Sequence, residues 1–213
     1  MRFRYLIWDF DGTLFDTYPV LNRSIRRALA EFGVESDEER IAAMLSDTLS
    51  DTIDALAREH DLDVETFVER IRHHQAEASL AERPPFPGAI RVCRRFLKAG
   101  GTNYIHTHRD TESLMAYLDF QGVVNLFADC VTRDDGYPRK PDPAGFAALV
   151  EKHNLPKAEV LAVGDRDLDV LGAHAAGLAA CLFGTEPGPG VEPEYVIHDF
   201  GELERILGLE TQT

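Results

Sequence analysis

The sequence predicts an α/β fold, a parallel sheet with helices on both faces, interrupted once by an all-helical insertion. Three observations carry that expectation. A short apolar run, Tyr5 to Trp8, leads into Asp9-Phe10-Asp11-Gly12-Thr13, as a strand buried on both faces leads into a turn. From Ala89 onward, short apolar runs alternate with helix-spaced stripes, which implies crossover connections and parallel pairing. Between these two regions the apolar residues recur only at helical spacing.

Each element follows from its own stretch. Behind the first strand, Val20, Leu21, Ile25, Ala28, Leu29 and Phe32 form a helical stripe with Arg23, Arg26 and Arg27 opposite, and Gly33 stops it. Further helices are expected from Asp37 to about Leu45, from Ser50 to about His60 with Ser50 or Asp51 as the cap, and from Val64 to about Glu82. Arg83-Pro84-Pro85-Phe86-Pro87-Gly88 ends the block, because three prolines in four positions cannot continue a helix.

Beyond that boundary the expected helices are Ala89 to Ala99, Thr111 to Asp119, Pro143 to His153 and Leu168 to Ala176. Strands are expected at Asn103 to His106, near Phe127 to Val131, at Val160 to Val163 and at Ala179 to Phe183, with a last strand and helix within Tyr195 to Leu207. The glycine- and proline-rich run Gly184 to Pro193 reads as a surface loop. The whole is a Rossmann-like core of residues 1–16 and 84–213. Residues 17–83 form a helical cap, expected over the carboxyl end of the first strand.

Composition removes several partners. A formal net charge of −15 argues against nucleic acid or an anionic membrane surface, since both need basic patches. No apolar stretch approaches the ~18 residues of a membrane span, and the amino terminus lacks a signal-peptide pattern. Cys93, Cys130 and Cys181 are far apart in apolar surroundings, which reads as reduced, buried thiols in a cytoplasmic protein.

Open parallel sheets bind ligands at the carboxyl ends of their strands. The residues there are Asp9 and Asp11 after the first strand, Thr107 and His108 after the second, Lys140 in the loop after the third, and Asp165 and Asp169 after the fourth. Side chains two apart in extended chain project to one side, so Asp9 and Asp11 share a mouth, where two carboxylates repel unless a cation or proton intervenes. The set suits phosphoryl transfer. A carboxylate attacks phosphorus and divides a slow hydrolysis into two steps, while a hydroxyl, an ammonium and a carboxylate-held divalent cation balance the charge. Each member also has a bland role: Asp11-Gly12 as a turn, Asp165 and Asp169 as helix-start acids, Lys140 as a solvated loop lysine. His106 is read as structural, and Arg109 as either an anion ligand or half of a surface salt bridge.

The motifs Asp9-Phe10-Asp11-Gly12-Thr13, Thr107 after an apolar strand, Lys140-Pro141, and Gly164-Asp165-Arg166-Asp167-Leu168-Asp169 resemble the four ordered motifs of the haloacid dehalogenase superfamily. The helical insertion and the Pro87-Gly88 re-entry resemble its branch with a small helical cap, which includes phosphoglycolate phosphatases. The resemblance implies Asp9 as nucleophile and magnesium ligand, and Asp11 as acid and base with its backbone carbonyl on the metal. It further implies Asp165 as a magnesium ligand, Asp169 as support for the metal's water shell or for Lys140, Thr107 and Lys140 as catalytic phosphate ligands, and Gly12 and His108 at the phosphate, His108 chiefly by backbone donation. The cofactor implied is Mg2+, and the substrate a small phosphorylated metabolite.

Relatives with other chemistry fit less well. Dehalogenation in this superfamily runs without the second aspartate, and phosphonate hydrolysis needs a cap lysine, whereas the first lysine here is Lys98. The similar phosphosugar mutases carry a histidine twelve residues after the nucleophile, where this chain has Leu21. The expected activity is a magnesium-dependent, phosphoglycolate-like phosphatase; the alternatives are a mutase of the beta-phosphoglucomutase type or a non-catalytic phospho-ligand module. Arg23 and Arg27, four apart on the cap, are candidates to clamp a substrate carboxylate, with a solvated helix face as the bland alternative. Such caps often carry a glycine in the loop facing the site, where this chain has Met44-Leu45-Ser46-Asp47-Thr48.

Overall fold

A computed structural model describes residues 2–45 and 49–209. The chain forms two compact units, Met1–Phe15 with Pro85–Thr213, and Asp16–Pro84. The first is built on a six-stranded, wholly parallel sheet: β1 (Tyr5–Trp8), β2 (Thr102–His106), β3 (Phe127–Val131), β4 (Val160–Gly164), β5 (Ala179–Phe183) and β6 (Tyr195–Ile197), in the order β3-β2-β1-β4-β5-β6. The strand that opens the chain is therefore central. Ile7 aligns with Tyr104 on one side and Ala162 on the other, so the carboxyl ends of β1, β2 and β4 lie abreast.

The runs of β1 and β4 are apolar throughout because both of their faces are covered. Ile7, Ala162 and Leu182 pack against Phe146 and Leu149 of the helix Ala144–Lys152 and Val170 of the helix Asp167–Ala175. Trp8 is fully buried, and its indole N–H donates to Asn103 Oδ1 at 3.0 Å. The Asn103 amide in turn donates to the carbonyls of Cys93 and Leu126, so this buried polar pair is satisfied.

The second unit is helical: α1 (Tyr18–Glu31), α2 (Glu38–Met44), α3 (Leu49–Glu59) and α4 (Val64–Glu77). Its own core gathers Ile25, Leu29, Ile41, Leu56, Phe67 and Ile71, the inward stripes of four amphipathic helices. Asp37 caps α2 by accepting from Glu39 N at 3.1 Å, and Asp63 caps α4 by accepting from Thr66 N at 2.9 Å.

Several boundaries differ from expectation for local reasons. α4 stops at Glu77, where a new turn over Leu80–Glu82 begins with Ser79 N donating to Glu82 Oε1 at 2.9 Å. α3 already contains Leu49, so Ser50 and Asp51 stand inside its first turn and not at the cap position. Phe32 closes the α1 stripe half-exposed, edge-on to Phe67. Cys93 and Cys181 are buried, but Cys130 lies on the edge strand β3 and is only half-buried; none forms a disulfide. Residues 46–48, in the loop expected to face the site, lie outside the described residues. Among the described residues no helix is long and apolar enough to cross a membrane.

Candidate active site

The turn after β1 positions the first two acids. Asp9 N donates to Val163 O at 2.8 Å and so ties the end of β1 to β4. The N–H groups of Leu14 and Phe15 both donate to Phe10 O, and Gly12 adopts φ 82°, a left-handed conformation that favours glycine. Phe10 stacks on Phe15 at 4.5 Å between ring centres, with Tyr117 edge-on to both. This aromatic clamp fixes the loop from beneath.

Lys140 is the hub of the site. Its ammonium donates to Asp9 Oδ1 at 2.7 Å, to Asp169 Oδ1 at 2.7 Å and to His106 O at 2.8 Å, which uses all three of its protons. All three side chains of this ion triad are almost wholly buried. Burial pushes the Asp9 carboxyl up to about 6; Lys140 opposes the shift and Asp169 adds to it. The two carboxylates hold the Lys140 ammonium above its ordinary range against the desolvation that would lower it.

Carboxylate oxygens of Asp9, Asp165 and Asp169 all lie within 4.8 Å of one another. Asp9 Oδ2 is buried with no hydrogen-bond partner, an anionic oxygen that a nearby cation would satisfy. Three anionic oxygens with one unsatisfied fit a hard divalent ion such as Mg2+. Gly164 permits the closeness, because a Cβ there would lie 2.4 Å from Asp169 Cβ. Asp169 Oδ2 accepts from Arg166 N at 3.2 Å, and Thr13 Oγ1 donates to Asp165 Oδ1 at 2.9 Å.

The end of β2 supplies the neutral and cationic groups. Thr107 is buried, its N–H donating to Val131 O at 2.9 Å and its Oγ1 accepting from Arg109 N at 3.2 Å. His108 Nε2 accepts from Lys140 N at 3.0 Å, so that ring is neutral with its proton on Nδ1. Burial and the neighbouring cations Lys140, Arg139 and Arg166 lower His108 to about 4. His106 is buried edge-on to Phe146 and fills the space that Gly145 leaves by having no side chain.

A family model described as haloacid dehalogenase-like hydrolase matches residues 6–183. The chain belongs to that family. Among curated relatives it is 28% identical to a phosphoglycolate phosphatase of Rhodospirillum rubrum, over 95% of this chain and 90% of the relative. It is 27% identical to one of Yersinia pseudotuberculosis, over 97% and 94%. A solved haloacid dehalogenase family hydrolase of Deinococcus radiodurans, holding phosphate and sodium, superposes with a TM-score of 0.80. It is 20% identical and covers 100% of this chain and 99% of that one, so the likeness is one of fold.

In this haloacid dehalogenase-like hydrolase the structure brings Asp9, Lys140, Asp165 and Asp169 into one buried cluster. The Asp11 carboxylate is outside that acidic group and pairs with Arg109. Arg23 and Arg27 belong to the helical unit, where they pair with Glu82 and Glu77. Asp167 neither caps its helix nor joins the cluster; it accepts from Gly188 N at 3.1 Å and ties down the loop after β5. Sequence reasoning passed over Thr13, although it belongs to the Asp-x-Asp-Gly-Thr motif. It also passed over the acceptor role of the His108 ring, which no pattern signals.

Proposed function

We propose that this hydrolase is a magnesium-dependent phosphatase that acts on a small phosphorylated metabolite, phosphoglycolate being the first candidate, through an aspartyl-phosphate intermediate. The observation that carries the reading is Lys140 donating to both Asp9 and Asp169 while Asp9 Oδ2 stays buried and unbonded. A buried carboxylate balanced by an ammonium on one oxygen, with its other oxygen free of hydrogen bonds, is arranged to act as a nucleophile. The curated phosphoglycolate phosphatases that resemble the chain over nearly its whole length support the substrate class.

In this reading Asp9 attacks phosphorus, and the bond to the leaving oxygen breaks with its electron pair passing to that oxygen. Asp11 supplies the proton that the leaving oxygen needs, and its carboxylate then takes a proton from the water that attacks the aspartyl phosphate. That second step releases phosphate and restores Asp9. Lys140 and the Thr107 hydroxyl balance the oxygens of the transferring group, with Gly12 and the His108 backbone beside them. Asp9, Asp165, Asp169 and the Asp11 carbonyl would hold magnesium, which supplies positive charge for the phosphoryl oxygens when bound. Arg23 and Arg27, which pair with Glu82 and Glu77, are the candidates to clamp a substrate carboxylate. A cytoplasmic setting fits the three unpaired thiols.

The test is a panel of phosphorylated metabolites assayed for free phosphate in excess Mg2+. Release from phosphoglycolate or another small monoester is the expected outcome. Tight binding without release on any member contradicts it, and isomerisation of a sugar phosphate without net release makes the enzyme a mutase.

A further inference from the structure

Arg109 is held more tightly than a surface arginine needs to be. Its guanidinium meets both oxygens of Asp11, through Nη2 to Oδ1 and through Nε to Oδ2 at 3.3 Å. Nη1 donates to Ser113 Oγ at 2.7 Å, which anchors the fork to the first turn of the helix Thr111–Phe120. The flat group lies 4.6 Å over the Tyr117 ring and 5.3 Å over Phe10, and the side chain is 19% exposed. Its own backbone N–H donates to Thr107 Oγ1. One residue thus joins the Asp11 carboxylate, the Thr107 hydroxyl and the aromatic clamp under the β1 turn.

Resting on the phosphatase reading above, we infer that Arg109 is a positioning residue for proton transfer, fixing the plane of the Asp11 carboxyl beside the nucleophile loop. The carboxyl so held passes its proton to the leaving oxygen as the phosphorus–oxygen bond breaks, and it takes the proton of water in the second step. A planar, bidentate guanidinium fixes the plane of a carboxylate, which a lysine ammonium in the same place does not. Ser113, Tyr117 and Phe10 fix the guanidinium in turn, so Asp11 is oriented before substrate arrives, and the cost of ordering it is met in the fold.

Proton donation matters most when the leaving oxygen is strongly basic, and that dependence separates positioning from mere structural support. Phosphoglycolate leaves as an alkoxide, whereas p-nitrophenyl phosphate leaves as a weakly basic phenolate. Arg109→Ala and Arg109→Lys are to be compared with the unaltered enzyme on both esters in excess Mg2+, with circular dichroism to confirm folding. The expected result is a fall in kcat of about 100-fold on the alkyl ester, the scale of general acid catalysis. On the aryl ester the fall is within about threefold, and KM is unchanged for both. Guanidinium ion at millimolar concentration, well below denaturing levels, restores the alkyl activity of Arg109→Ala but adds nothing to Arg109→Lys. An equal fall on both esters, no fall on either, or a rise in KM alone overturns the assignment, as does the absence of rescue. No phosphate release by the unaltered enzyme from these two esters or from any member of the metabolite panel overturns the phosphatase reading itself, and this inference with it.

Discussion

Lys140 Nζ and Asp9 Oδ1 meet at 2.7 Å across 131 residues of chain, and both side chains are all but removed from solvent. The second carboxylate on the same ammonium, Asp169, makes Lys140 the counterion of two buried acids at once. Breaking a buried pair by deleting one partner costs more than the pair contributes, because the remaining charge has no water to return to.

Lys140→Met is therefore expected to lose about 3–5 kcal/mol of stability at pH 7.5 in the absence of divalent ions. The sign of its pH dependence follows from Asp9, whose carboxyl is already raised by burial. A raised carboxyl binds its proton more readily folded than unfolded, so stability falls as pH rises through the folded value. Loss of the ammonium enlarges that effect, and the deficit of Lys140→Met should shrink at pH 5. Urea denaturation of both proteins at the two pH values checks this.

The acidic cluster gives a metal prediction. Mg2+ at about one hundred times its dissociation constant should raise the melting temperature by about 5–10 °C, since binding stabilises by about 2.7 kcal/mol and a chain of this size gains about 2–4 °C per kcal/mol. Asp165→Ala should abolish the shift, while Asp11→Asn, which keeps its backbone carbonyl, should retain most of it. Excess EDTA should remove activity, and added Mg2+ should return it. Thermal scans with and without the ion read the shift directly.

His108 predicts acid sensitivity. Its ring is lowered to about 4 because burial and nearby cations disfavour the imidazolium, and because Nε2 must stay unprotonated to accept from Lys140 N. The unfolded chain takes up this proton near 6.5, the folded chain near 4. The stability tied to the neutral ring is thus complete above about pH 6.5 and is lost progressively as pH falls toward 4. His108→Gln removes the titration, so its stability relative to the unaltered protein should improve across that window. Denaturation midpoints between pH 7.5 and 4 provide the comparison.

The legible parts of this molecule are those written in local patterns. Apolar runs such as Tyr5–Trp8 and Val160–Gly164 announce strands, and the acids and lysine following them announce the site, because strand ends bring such residues together regardless of the loops between. Partners decided by tertiary geometry were not legible. Nothing near Arg109 in the sequence says that its guanidinium reaches Asp11, 98 residues earlier, and nothing near Arg27 says that it meets Glu77. The end of α4 was missed for a third reason. Ser79 and Glu82 start a new turn inside a stretch whose apolar spacing still reads as helix.

The central claim is that Asp9 carries the phosphoryl group during turnover. Rapid acid quenching of the enzyme with substrate labelled at phosphorus, followed by peptide mapping, tests it most directly. The account predicts label on the peptide bearing Asp9, released by hydroxylamine and missing from Asp9→Asn. Label on a different residue, or undiminished turnover by Asp9→Asn, would contradict it.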